Sequence, residues 1–200
     1  MKVRALLTST LVAFAACGHP SSHDPALHEV RQCQPQQWQG SDTLAANKKT
    51  VVNAARSLGC DDHRVALLLA CGMLETDDLS ASQRDQSKDG DGHNPARNFS
   101  AFNMNLDALN RIGMDFQKME SLNVDANLAE AVKAFNDGLN KFGEDPWLSF
   151  HRGGAAALAD GTSYGAAQYR EVIRTTQAWL IANQWAWLDR TRSASFVPHV

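Results

Sequence analysis

The sequence predicts a mainly α-helical fold of the α+β class, with a short β-hairpin following a central helix. Three observations predict it. Apolar residues recur at helical spacing in six stretches between Asp42 and Leu188. One polar excursion, residues 76–100, interrupts them; it is rich in Asp, Ser, Gln, Asn and Gly, and its Asp89-Gly90-Asp91-Gly92 is a turn and short-hairpin signal. Strand and helix runs do not alternate, as they would in a parallel α/β fold.

The chain opens with Lys2 and Arg4, an uncharged run from Ala5 to Ala16, and small residues at its end. This is the pattern of a secretory signal over residues 1–16, and the run is too short to span a bilayer. Cleavage before Cys17 follows Phe14-Ala15-Ala16, which resembles a bacterial lipobox except for the Phe. Two outcomes stay open: a lipid anchor on Cys17 at the cell envelope, or an ordinary cut and a free secreted protein. Residues 17–37, with Pro20, Pro25 and Pro35 among Ser, His and Gln, read as a linker or N-terminal arm. Residues 38–200 are long enough to bury an ordinary core as one domain.

Within that domain the first helix spans about 42–58, with Leu44, Val51, Val52, Ala55 and Leu58 on one face and Gly59 as its stop. The second begins at Asp61 and Asp62 and is apolar nearly all round from Val65 to Leu74, as a buried central helix is. Four more are expected at about 105–117, 125–139, 146–159 and 163–188, with Asn105, Asp125, Asp145 and Ser163 as caps.

Without residues 1–16 the formal net charge moves from −3 to −5, because Lys2 and Arg4 leave with them. An acidic protein with no basic run is a poor partner for phosphate backbones, so nucleic acid is not expected. Four cysteines stand at 17, 33, 60 and 71. If Cys17 carries a lipid, three remain; Cys71, inside an apolar run, reads as a small buried hydrophobe, and Cys33 with Cys60 is then the preferred disulfide. No Cys-x-x-Cys supports a zinc ribbon.

The chemistry concentrates around Glu75. It ends the apolar helix, where burial and the negative end of the helix dipole both disfavour its charge, and the expected pKa is therefore raised. Asp85 lies between Arg84 and Lys88 in the polar excursion, where a carboxylate stays ionised. Two carboxyl groups in opposed environments are what glycoside hydrolysis needs. Gly161-Thr162-Ser163-Tyr164-Gly165 matches a nucleophile elbow, but the preceding residues are no strand and no sheet is available to hold the other triad members. Asp89 to Asn94 suggests a calcium loop, yet Asn94 and Ser100 stand where an EF-hand requires Gly and Glu.

The order Glu75-Thr76-Asp77, Arg84-Asp85-Gln86-Ser87-Lys88-Asp89 and Asn98-Phe99-Ser100-Ala101-Phe102-Asn103-Met104-Asn105 resembles the lysozyme superfamily. Within it, the chain is most similar to the endo-β-1,4-mannanases of glycoside hydrolase family 134, through Pro146-Trp147 and Phe150-His151-Arg152 to its end. The resemblance implies a lysozyme-like fold and an endo-acting, inverting hydrolase of β-1,4-mannan. It implies Glu75 as general acid and Asp85 as general base, with Asp89 and Asp91 as alternatives for the base. Asn98, Asn103, Asn105, Trp147, His151 and Arg152 are the expected substrate contacts. Neither cofactor nor metal is expected, and the partner is a polysaccharide met by a monomer, with membrane contact only through a lipid on Cys17. A peptidoglycan-cleaving muramidase or lytic transglycosylase, and a non-catalytic polysaccharide-binding module, are the alternative readings.

Overall fold

The computed structural model describes residues 36–83, 97–151 and 164–194. By compactness the chain divides into 1–33 and 34–200, and every described residue belongs to the second unit.

Two helices follow from local signals. Helix α1, Asp42–Ser57, starts where Ser41 Oγ accepts the Leu44 amide at 3.1 Å, and it ends ahead of Gly59 at φ 77°. It buries Leu44, Lys48, Val51 and Ala55, one stripe at helical spacing. Helix α2, Asp62–Glu75, is capped by Asp61, which accepts from Arg64 N at 2.8 Å. Every residue from Val65 to Met73 is buried, so α2 is the central helix. It packs chiefly on α7, Tyr164–Ala182, and on α1.

The hairpin after α2 pairs β2, Asn98–Phe99, with β3, Met104–Asn105, Asn98 facing Asn105 and Phe99 facing Met104. Its turn is Ser100–Asn103, with both end residues at positive φ (66° and 54°). The expected Asp-Gly turn at 89–92 lies outside the described residues.

The single helix expected over 105–117 is two. Helix α3, Leu106–Arg111, is capped by Asn105; α4, Phe116–Ser121, is capped by Asp115. Gly113 at φ 84° turns the chain between them. Helix α5 is Leu128–Phe142, and residues 144–151 form α6. Helix α7 stops at Ala182, short of the expected 188, and a 3-10 turn follows at Gln184–Trp187. The chain then forms a strand missed in the sequence: β4, Thr191–Ala194, pairs antiparallel with β1, Gln36–Gln39. Two residues assigned to the N-terminal arm, 36 and 37, thus belong to a sheet.

The aromatic core gathers Phe102, Phe135, Phe142, Trp147 and Phe150, with Trp147 stacked on Phe142 at 5.7 Å. Lys48 is fully buried beside the carboxyl-terminal segment, its Nζ donating to Ala186 O at 2.7 Å and to Thr191 O, with Asp189 at 3.7 Å. Cys60, expected to pair with Cys33, is a free thiol that donates to Asn136 Oδ1 on α5 at 3.7 Å. Its place after the end of α1 turns its sulfur to α5; Cys33 lies outside the described residues. Cys71 is free and buried.

Candidate active site

Glu75 is the last residue of α2, because Thr76 leaves helical geometry for an extended one (φ −141°, ψ 144°). The Thr76 hydroxyl bonds Gly72 O at 3.3 Å and Ala101 O at 3.1 Å, tying the helix end to the hairpin turn. A Cβ at Gly72 would meet Leu79 Cδ2 at 2.2 Å and Phe102 Cε1 of the hairpin turn at 3.3 Å, so its absence lets both pack against the helix end. The Glu75 side chain is left only 12% exposed.

Three other elements send donors to its carboxylate. Asn103, in the hairpin turn, donates from Nδ2 to Oε2 at 3.1 Å. Its αL backbone is one that Asn tolerates better than most residues. His151, on α6, places Nε2 3.2 Å from Oε1. The hydroxyl of Tyr169, on α7, adds a further hydrogen bond. His151 is itself held between Phe135 and Tyr169, at ring-centroid distances of 5.7 and 5.6 Å.

These donors reverse the expected direction of the Glu75 pKa. Burial is the largest influence and raises it, as expected from the sequence. The charge and hydrogen bond of His151, with the bonds from Tyr169 and Asn103, outweigh burial and hold the carboxyl below its usual range. Sequence reasoning identified the burial and missed the convergence of donors from distant segments.

The chain leaving Glu75 is anchored from three sides. Asn47 of α1 donates to Asp78 O at 2.9 Å and Leu79 O at 3.3 Å. Asp125 accepts from Ser80 Oγ at 2.8 Å and Ser82 N at 3.2 Å. Arg192 of β4 pairs with Asp77 at 2.7 Å and donates to Met73 O at 3.3 Å.

The remaining expected contacts divide. Asn103 and His151 meet at Glu75, where they contact the carboxylate. Asn98 is buried on β2, and Asn105 is committed to capping α3, accepting Ala108 N at 2.7 Å. Trp147 has 0% exposure and so no ring face to offer a sugar; its expected stacking role is corrected to a core one. Asp85, Asp89, Asp91, Arg152 and the Gly161-to-Ser163 motif lie outside the described residues. Of the three carboxyl-terminal tryptophans, Trp179 and Trp187 are core and Trp185 is 59% exposed. Tyr169 was missed from the sequence. Its signal was a hydroxyl-bearing residue on the buried face of α7, where such a group needs a partner.

Among the described residues, no group of three or more His, Cys, Asp or Glu side chains is placed to hold a metal ion, and no helix is long and apolar enough to cross a membrane.

A buried central helix ending in an acidic residue, then a hairpin, within a mainly helical lysozyme-like fold, is an arrangement that glycoside hydrolysis can use. Residues 35–197 match the model of glycosyl hydrolase family 134, and the chain belongs to that family. Comparison with curated proteins gave no match.

Proposed function

We propose that this glycoside hydrolase is an endo-acting, inverting β-1,4-mannanase in which Glu75 is the general acid and Asp85 the general base. The observation that carries the reading is the Glu75 carboxyl, shielded at the end of α2 with both oxygens engaged by donors, in a chain of family 134. Glu75 protonates the leaving glycosidic oxygen, while Asp85 takes a proton from the water that attacks the opposite face of the sugar. Inversion requires about 6.5–9.5 Å between the two carboxyl groups, the room that water needs. The low Glu75 pKa favours work on the acid side of neutrality, where enough of the carboxyl is protonated.

The mature chain acts as a monomer on a polysaccharide outside the cell, either free or anchored through Cys17. The test is a reducing-end assay on linear β-1,4-mannan, with peptidoglycan alongside, for the wild type, Glu75→Gln and Asp85→Asn. Mannan cleavage lost in both variants supports substrate and roles. Glu75-dependent lysis of peptidoglycan without mannan cleavage makes the protein a muramidase, and binding without cleavage makes it a polysaccharide-binding module.

A further inference from the structure

The two oxygens of Glu75 have different holders, Oε1 facing His151 Nε2 and Oε2 facing Asn103 Nδ2. The imidazole has little freedom, being 3% exposed with its ring between Phe135 and Tyr169. Its other nitrogen, Nδ1, is buried without a hydrogen-bond partner among the described residues. A neutral imidazole carries one N–H and one bare nitrogen. An N–H on Nδ1 would be an orphaned buried donor and would turn a bare Nε2 toward a carboxylate, lone pair against lone pair. An N–H on Nε2 instead donates to Oε1. Asn103 donates to Oε2 in the same way, so each carboxyl oxygen keeps a lone pair for the acidic proton, and the imidazole has no bare nitrogen facing Glu75 to take it. Were Nε2 bare, the proton would be drawn to Oε1 and spent on the imidazole.

We propose that His151 and Tyr169 are positioning residues for proton delivery: Tyr169 steadies the imidazole, and the His151 Nε2–H on Oε1 keeps the acidic proton on the Glu75 carboxyl and off the imidazole. This rests on the reading of Glu75 as general acid. In the step, the O–H bond of the Glu75 carboxyl breaks as the proton bonds to the glycosidic oxygen. The bond from that oxygen to the anomeric carbon breaks with its electron pair passing to the oxygen, and water bonds to that carbon while yielding a proton to the base. Glu75 is left as a carboxylate, and solvent reprotonates it once product departs. His151, Tyr169 and Asn103 all donate to that carboxylate, so they bind the charge that appears as the proton leaves. A protonated imidazole also carries its N–H on Nε2, so that donor faces Oε1 in either state, and the imidazolium charge adds to the donors in holding the Glu75 pKa down.

The ionisable groups facing Glu75 among the described residues are His151 from α6 and Tyr169 from α7, with Cys71 one turn back on α2. The hairpin contributes the neutral Asn103, and β4 brings Arg192 to Met73 O and Asp77.

The experiment is steady-state kinetics of the full mature chain on soluble linear β-1,4-manno-oligosaccharides across pH, for wild type, His151→Leu, His151→Gln, Tyr169→Phe and Glu75→Gln. Expected for His151→Leu is a loss of about 100-fold in kcat with KM nearly unchanged. His151→Gln, which keeps an N–H donor, recovers most of that loss. The alkaline limb of kcat moves to higher pH in His151→Leu and, by less, in Tyr169→Phe, because burial of Glu75 is then less opposed. A raised KM with kcat preserved would make His151 a sugar contact and overturn the proposal, as would an alkaline limb unmoved in both variants. If His151→Leu does not fold, Tyr169→Phe and His151→Gln carry the pH test. Glu75→Gln separates the two readings: if it is active, Glu75 is not the acid and both fall; if it is inert while His151 variants change only KM, the positioning role alone falls.

Discussion

Gly138 on α5 lies directly against the indole of Trp147 on α6: a Cβ at position 138 would stand 2.2 Å from Trp147 Cε2 and 2.3 Å from Cζ2. The missing methyl lets α6 seat its aromatic residue in the core, and one helical turn further on the same face α6 delivers His151 to Glu75.

Gly138→Ala is therefore expected to destabilise the protein by about 1–3 kcal/mol, even though alanine is the better helix former, because a rigid ring cannot yield that space. Thermal unfolding checks this, and kcat of the folded variant should fall as His151 shifts with α6. A variant as stable as the wild type would mean that α5 and α6 are not so tightly seated.

Lys48 makes stability depend on pH in the alkaline range. Burial lowers its pKa from 10.5 to about 8, partly offset by Asp189. Between those values the unfolded chain holds a proton that the folded chain has released, so stability rises with pH through this window, by roughly 3 kcal/mol at its top. Urea midpoints of wild type and Lys48→Met across the window should diverge in favour of the wild type. Below the window, Lys48→Met is also less stable than a simple charge deletion suggests, because Ala186 O and Thr191 O lose their donor. Parallel pH dependence in the two proteins would refute a depressed Lys48 pKa.

Asn103 combines backbone strain with a functional contact. Both Asn103→Gly and Asn103→Ala remove the donor from Glu75 Oε2, so both raise the Glu75 pKa and depress turnover. They differ at φ 54°, where alanine costs about 1–2 kcal/mol and glycine does not. Thermal melts should rank Asn103→Gly above Asn103→Ala with comparable activity losses; the opposite rank would mean the turn relaxes out of αL.

Cys60 should be recovered as an alkylated thiol when the native protein is labelled without reductant, and Cys71 should label only after unfolding, since it is fully buried. Labelling of Cys60 should be slow for a partly exposed thiol at neutral pH, because burial raises its pKa and thins the reactive thiolate. Peptide mapping that found Cys60 bonded to Cys33 would contradict the free thiol.

Much of the frame was legible from local pattern. The Asp61 start of α2, the burial of Leu44, Val51 and Ala55 on α1 and the all-round apolar α2 follow from helical pattern, and with them the placement of Glu75 at a buried helix end; the burial of Lys48 and the exposure of Leu58 do not. Gly113 and Asp115 held the signal that splits α3 from α4, but the apolar spacing ran through it. The β1–β4 pairing joins Gln36 to Ala194, and no local period reports a partner so far along the chain.

The sequence by itself determined that the chain is a helical domain with a candidate acid at the end of its central helix, because helices, caps and burial stripes depend on residues a few positions apart. The tertiary structure decided what that acid meets. Asn103, His151 and Tyr169 come from three other elements, and their combined electrostatics exceed the burial that the sequence predicted would dominate. It also decided that Trp147 serves the core and not the sugar, since whether an aromatic ring faces inward depends on a gap left by a glycine nine residues earlier on a different helix.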